Sequence, residues 1–129
     1  MIWLPSIDQV IEMHSILIRR TGGSDGIRDL GLIESAIARA SAGYGEYERY
    51  PGVEAKAAAI AHGLGSNHGF IDGNKRTGFL LAYIFLRLNG YELNAPEAEA
   101  VLAVYSLASG EWIEKDFSRW LEHWSLKDL

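Results

Sequence analysis

The sequence predicts an all-α chain: a compact bundle of about six helices, with room for one small β-hairpin. Three observations carry that expectation. Apolar residues recur at three- and four-residue spacing along most long segments. Residues that start and stop helices bracket those segments. Strict apolar–polar alternation never runs far enough for a core strand, and no internal repeat, linker or low-complexity tract interrupts the 129 residues. At this length a single domain spanning residues 1–129 is expected. A chain of this size can bury roughly two-thirds of its unfolded surface without staples.

The elements follow in order. Ser6 with Gln9 three residues later resembles a capping box. Positions 7, 10, 11, 14, 17 and 18 then share one helical face until Gly22-Gly23 ends the run. A second helix is expected from near Asp29 through "LGLIESAIARA". The segment "SAGYGEYERYPG", with Tyr among Gly and Glu, reads as irregular or weakly extended. The run "PGVEAKAAAIAHGLGSN", about 51–67, reads as a helix with Pro51 near its first turn. Another helix begins near Asn74, and "KRTGFLLAYIFLRL" is apolar nearly all round, which marks a central buried helix. Asn89-Gly90 stops it. A short extended "YELN", a helix over about 96–108, a turn at "SGEW" and a last helix over about 114–123 complete the chain.

Composition excludes several functions. The apolar fraction of 48% and charged fraction of 22% are those of an ordinary soluble globular protein. There is no cysteine, so disulfides, thiolate metal sites and cysteine nucleophiles are excluded, which fits a reducing compartment. A net charge of −5 gives no general footprint for nucleic acid, leaving only a local basic patch for phosphate. "MIWLPSIDQVIEMH" lacks a basic region followed by an apolar core, so no signal peptide is expected. "FLLAYIFL" is eight residues before Arg87, well short of the ~18 a membrane span needs. A cytoplasmic protein that contacts neither membrane nor nucleic acid directly is expected.

The chemistry concentrates in "NHGFIDGNKRTG", residues 67–78, between an Ala-rich helix and the most apolar one. A helix starting near Asn74 leaves its first N–H groups unpaired and facing the loop before it. With Gly73 at the turn and the helix dipole behind it, that start is suited to anions. Lys75 adds a point charge and Arg76 a fork that fits phosphate oxygens. Asp72 beside a phosphate is repulsive unless a divalent cation intervenes, and Mg²⁺ typically sits on one or two carboxylates plus substrate phosphates. His68 supplies a side chain able to take a proton near neutral pH. Base, metal ligand and phosphate cradle together describe nucleotide-dependent group transfer. The Walker P-loop does not fit: the spacing of Gly69, Gly73 and Lys75 is wrong and no strand precedes them.

The other polar residues carry blander expectations. His14 and His62 lie on mainly apolar faces and are expected in the core, His123 near the surface. Arg19, Arg20, Arg28 and Arg39 are expected on a solvated face. Trp3, Trp112, Trp120 and Trp124 are too scattered for a stacking platform and are expected to pack. No His pair has the spacing of a helical zinc site.

The nine residues "HGFIDGNKR", His68 to Arg76, resemble the signature of the Fic/Doc superfamily in its death-on-curing (Doc) branch. "GGSDGIRDLGLIESAIAR" before it and "TGFLLAYIFLRLNGYEL" after it resemble the same toxins. The resemblance implies a helical bundle with the motif loop between two central helices. It implies His68 as general base toward a protein hydroxyl, Phe70 as the inward anchor of the loop and Asp72 as Mg²⁺ ligand. Gly73, Asn74, Lys75 and Arg76 would hold the phosphates of ATP. Adenylylating relatives carry Gly where this chain has Lys75 and a second Arg where it has Phe79. That departure favours transfer of the γ-phosphate, which in Doc-type kinases goes to a threonine of elongation factor Tu and arrests translation. Adenylyl transfer is the alternative, and a catalytically idle binding module the second. The nearest match to the family's inhibitory motif, Ser118 with Glu122, lacks the Gly or Asn that follows. Restraint is therefore expected from a separate antitoxin with a disordered tail. "YGEYERY" corresponds to a flap that docks the target segment by strand addition. A bacterial or archaeal source is implied.

Overall fold

A computed structural model of the chain describes residues 2–44 and 46–127, with Gly45 of "YGEYERY" outside the described residues. Among them are six α-helices: α1 (Ile7–Thr21), α2 (Leu30–Ala38), α3 (Val53–Asn67), α4 (Asn74–Leu88), α5 (Glu97–Ala108) and α6 (Glu114–Trp124). A single 3-10 turn, Arg39–Ser41, extends α2. Two small antiparallel sheets complete the structure. β1 (Gly43–Tyr44) pairs with β2 (Tyr47–Glu48) as the hairpin, with Gly43 opposite Glu48. β3 (Tyr91–Leu93) pairs with β4 (Ser125–Lys127), Tyr91 opposite Lys127.

The capping box at α1 forms: Ser6 Oγ accepts from Gln9 N at 3.1 Å, and Ser6 N donates to Gln9 Oε1 at 2.9 Å. Asp29 caps α2 through its carboxylate, which accepts from Leu32 N. Pro51 falls outside α3, whose N-cap is Gly52 at φ 88°. A positive φ is open to glycine and closed to proline, so the break comes one residue later than expected.

Helices α3 and α4 form the centre, with α2 and α6 packed on α3 and α1 on α4. Ala57, Ala58, Ala59 and Ile60 have no exposed surface, and Leu81, Phe85 and Leu86 of α4 share one core cluster with Ala57, Ala58 and Ile60. Small residues set the approach. A Cβ on Gly78 of α4 would stand 2.7 Å from the Ala61 carbonyl oxygen of α3, so only glycine permits this crossing. α4 is central but not enclosed: Tyr83 and Leu88 are exposed on its outer side. The four tryptophans pack against or within the core, as expected. No helix among the described residues is long and apolar enough to cross a membrane.

One expectation changes here, and two features are new. Arg39 is not a solvated cation: Nε donates to Ala59 O at 3.0 Å and Nη2 to Tyr50 Oη at 2.8 Å and to Glu114, tying α2, α3 and α6 together. Lys56 is buried, with Nζ bonded to Glu48 Oε1 at 2.9 Å and Tyr50 O at 2.6 Å, which anchors the hairpin strand to α3. Strand β4 lies beyond the expected end of the last helix. Its pairing with β3 joins residues far apart in sequence, which local spacing does not reveal.

Candidate active site at the start of α4

After Asn67 the chain leaves α3 through His68, which adopts φ 56° and ψ 46°. It is the one non-glycine residue at positive φ among the described residues. That conformation costs a side-chain-bearing residue ~1–2 kcal/mol and persists where surrounding contacts over-determine it. The contacts come from residues 26–29. Arg28 N and Asp29 N both donate to Gly69 O, at 2.8 and 2.9 Å, and Ile71 N donates to Gly26 O at 3.1 Å. Ile27 and Phe70 form an isolated antiparallel bridge. Arg28 also donates through Nε to His68 O at 2.6 Å and through Nη2 to Asn67 O at 2.9 Å. Arg28 is exposed, as expected, but its guanidinium is bound to the loop. Arg19 and Arg20 are exposed as expected.

Phe70 is 1% exposed and stacks on the His14 ring, with centroids 3.7 Å apart and planes 7° from parallel. His14 is in the core as expected, and it has a second task. Its Nε2 lies 2.7 Å from the Asp72 carbonyl oxygen; a carbonyl only accepts, so Nε2 donates. The Asn74 side chain closes the loop from the other side. Its Oδ1 accepts from Phe70 N at 2.9 Å, and its Nδ2 donates to Phe70 O at 3.0 Å. The Asn74 amide is thus occupied with Phe70, which leaves the backbone N–H of Asn74 for a ligand.

The first helical bond of α4 runs from Thr77 N to Gly73 O at 2.9 Å. The N–H groups of Asn74, Lys75 and Arg76 precede it and form the positive start of the helix. Asp72 sits against that start. Its Oδ1 accepts from Gly73 N at 2.8 Å and its Oδ2 from Ser24 N at 3.1 Å, with Arg76 Nη2 3.7 Å from Oδ1. The Ser24 and Gly73 amides, then more weakly Arg76 and His14, hold its carboxyl below the ordinary value against the opposing effect of desolvation. A Cβ on Gly23 would stand 2.5 Å from Asp72 Oδ2, so glycine there makes room for the carboxylate.

A carboxyl whose pKa is lower folded than unfolded contributes stability above its unfolded pKa and loses it as pH falls through the folded one. Asp72→Asn is accordingly expected to be less stable than the parent at neutral pH. The gap should hold down to about pH 4 and close on further acidification. Urea unfolding of both proteins across that range checks the sign; a gap that widens in acid contradicts it.

Two cavities meet at this loop. One, of about 300 Å³, lies over the stretch Ile71 to Arg76 and His68. The other, of about 350 Å³, opens between α3, α4 and the 107–113 turn and is lined by His62, Ser66, His68, Lys75, Phe79 and Trp112 among others. His68 and Lys75 border both. His68 is exposed, and its ring has no protein hydrogen bond among the described residues. His62, expected in the core, is half-buried on the cavity wall. Lys75 Nζ donates to Ala108 O at the end of α5. Arg76 Nη1 donates to Thr21 Oγ1 at 2.6 Å and Gly22 O at 2.9 Å; Glu122 is not among its partners. The hairpin strands line neither cavity.

The residues singled out from the sequence thus share one surface: His68 at its rim, residues 72–76 along its floor, Phe70 beneath. Sequence reasoning missed the parts played by His14, Gly23, Ser24 and Arg28; the one signal for the last three was the density of glycine in "GGSDGIRD", and His14 had none. A divalent cation fits here only in part-protein form. No group of three or more His, Asp or Glu able to hold a metal exists among the described residues. Asp72 is half-exposed and each of its oxygens accepts one amide, so a lone pair remains on each. That suits Mg²⁺, which takes most of its oxygens from phosphate and water.

This arrangement, a His-led loop at the start of a central helix, defines a family. A sequence profile of the Fic/DOC family matches residues 4–86, and the chain belongs to that family. Two relatives place it in the Doc branch. It is similar to the protein named Toxin Doc of Mycolicibacterium smegmatis (strain ATCC 700084 / mc(2)155), 43% identical over 74 residues, which is 57% of this chain and 57% of that one. It is also similar to the protein named Protein kinase doc of Escherichia phage P1, 34% identical over 93 residues, 71% of this chain and 73% of the phage protein. The match to the mycobacterial toxin spans a little over half of that protein's length.

Proposed function

We propose that this chain is a Doc-type toxin, one domain over residues 1–129, that transfers the γ-phosphate of ATP to a hydroxyl of a target protein. A threonine of elongation factor Tu is the target the family likeness favours, and arrest of translation the consequence. The observation that carries the reading is the joint placement of His68, Asp72 and the α4 start on one surface, with Lys75 and Phe79 where adenylylating relatives carry Gly and Arg.

In this reading the N–H groups of Asn74, Lys75 and Arg76 hold phosphate oxygens. Lys75 and Arg76 exchange neutral carbonyl and hydroxyl oxygens for phosphate oxygens, whose negative charge adds Coulomb attraction to the two cations. His68 takes the proton of the target hydroxyl as its oxygen bonds to the γ-phosphorus. The bond from that phosphorus to the β–γ bridging oxygen breaks, and ADP leaves with the electron pair. Asp72 holds Mg²⁺, which when bound offsets the charge gathered on the phosphates.

Adenylyl transfer is less well supported. Lys75 Cγ lies 3.4 Å from where a Cβ on Gly65 would stand, so its stem lies along α3 where relatives have none. Phe79, at the position of the second Arg, packs with Phe117 and Trp120 at 5.9 and 6.2 Å between ring centroids and offers no charge to a triphosphate. The same likeness favours a cytoplasmic setting in a bacterium or archaeon and restraint by an antitoxin whose disordered tail folds on binding. Calorimetric titration with ATP and Mg²⁺ tests the reading against an idle module. Saturable binding that chelation of Mg²⁺ weakens is expected; no nucleotide affinity under either condition would overturn it.

A further inference from the structure

We infer that Arg28 is a positioning residue for His68, holding it in the left-handed conformation that sets its imidazole at the border of the two cavities. The inference rests on the reading of His68 as the base. Arg28 binds three successive carbonyls of the turn that carries His68: Asn67 O through Nη2 at 2.9 Å, His68 O through Nε at 2.6 Å and Gly69 O through its own backbone N–H at 2.8 Å. Asp29 N shares the last of these, and no other side chain among the described residues donates to any of the three.

The geometry explains why an arginine is needed. Moving His68 from φ 56° to the right-handed or extended region swings the carbonyls on either side of it, and the two bonds from the guanidinium cannot both survive. A planar fork with fixed donor directions meets two neighbouring carbonyls at once, whereas an ammonium on a flexible stem does not fix their relative direction. The positive charge also lies at the C-terminal end of α3, where the helix dipole favours it. Arg28 is exposed and takes no part in the core, so replacing it leaves the packing in place. Its task is local to the turn.

Arg28→Gln and Arg28→Lys test this, read in two ways. The first is the Cα and imidazole NMR shifts of His68, which report its backbone region and surroundings without any substrate. The second is the phosphoryl-transfer rate, separated into kcat and the KM for ATP. Both variants are expected to shift His68 away from left-handed values and to lower kcat by ~10–100-fold, since misplacing a reacting group by ~1 Å can cost ~10²-fold, with KM changed less than about twofold because residues 72–76 are untouched. Arg28→Lys keeps the charge and guards against failure to fold. Unchanged His68 shifts in both folded variants overturn the inference, as does a loss confined to KM. Should the parent show no transfer at all, the proposed reaction fails, and the NMR shifts alone then decide whether Arg28 sets the conformation of His68.

Discussion

His68→Ala is expected to lower the transfer rate by ~10²–10⁴-fold, the usual range for loss of a positioned general base, and to leave the fold intact. The two halves of that expectation come from different observations. His68 borders both cavities, so its ring is where a hydroxyl and a bound phosphate would meet. It is also exposed and without side-chain hydrogen bonds among the described residues, so little stability depends on it. The turn it occupies is held through backbone carbonyls, which alanine retains. Growth arrest on expression should disappear together with label transfer, while the thermal midpoint stays where it was. A variant that remains fully toxic removes His68 from the mechanism.

Phe70→Ala has the largest expected effect on stability, a loss of ~3–5 kcal/mol against the ~5–15 kcal/mol that holds a typical domain together. Phe70 is 1% exposed, faces the His14 ring at 3.7 Å and carries both backbone groups that pair with the Asn74 side chain. Removing the ring leaves a void that His14 and the loop cannot fill without moving Asp72, whose carbonyl His14 holds. Nucleotide binding should weaken with stability, because the same residues fix the start of α4. Urea unfolding gives the first quantity and calorimetry the second. A loss below ~1 kcal/mol would show that the loop does not rest on this ring.

Much of this was legible in the sequence. Helical spacing and caps located all six helices, since Ser6, Asp29 and the Gly-rich stops act on residues within a turn of themselves. The loop from His68 to Arg76 was legible because its polar residues are contiguous and its chemistry needs no distant partner to be recognised. What stayed hidden depends on contacts across the chain. Arg28 and His14 reach the loop from 40 and 58 residues away, and local spacing marks them only as a surface cation and a core histidine. Asn74 illustrates a subtler limit. Its type suggested a donor to phosphate, yet folding commits its amide to Phe70. Strand β4 was invisible for the same reason as Arg28, because only its distant partner defines it.

In the proposed reaction the bond broken in ATP lies between the β–γ bridging oxygen and the γ-phosphorus. Two incubations with a bacterial lysate and Mg²⁺ test it directly, one with ATP labelled at the γ-phosphate and one at the α-phosphate. Label on a target protein from the γ-position alone is the predicted result. Label from the α-position alone would mean that nucleotide, not phosphate, is transferred, and would contradict the role given to Lys75.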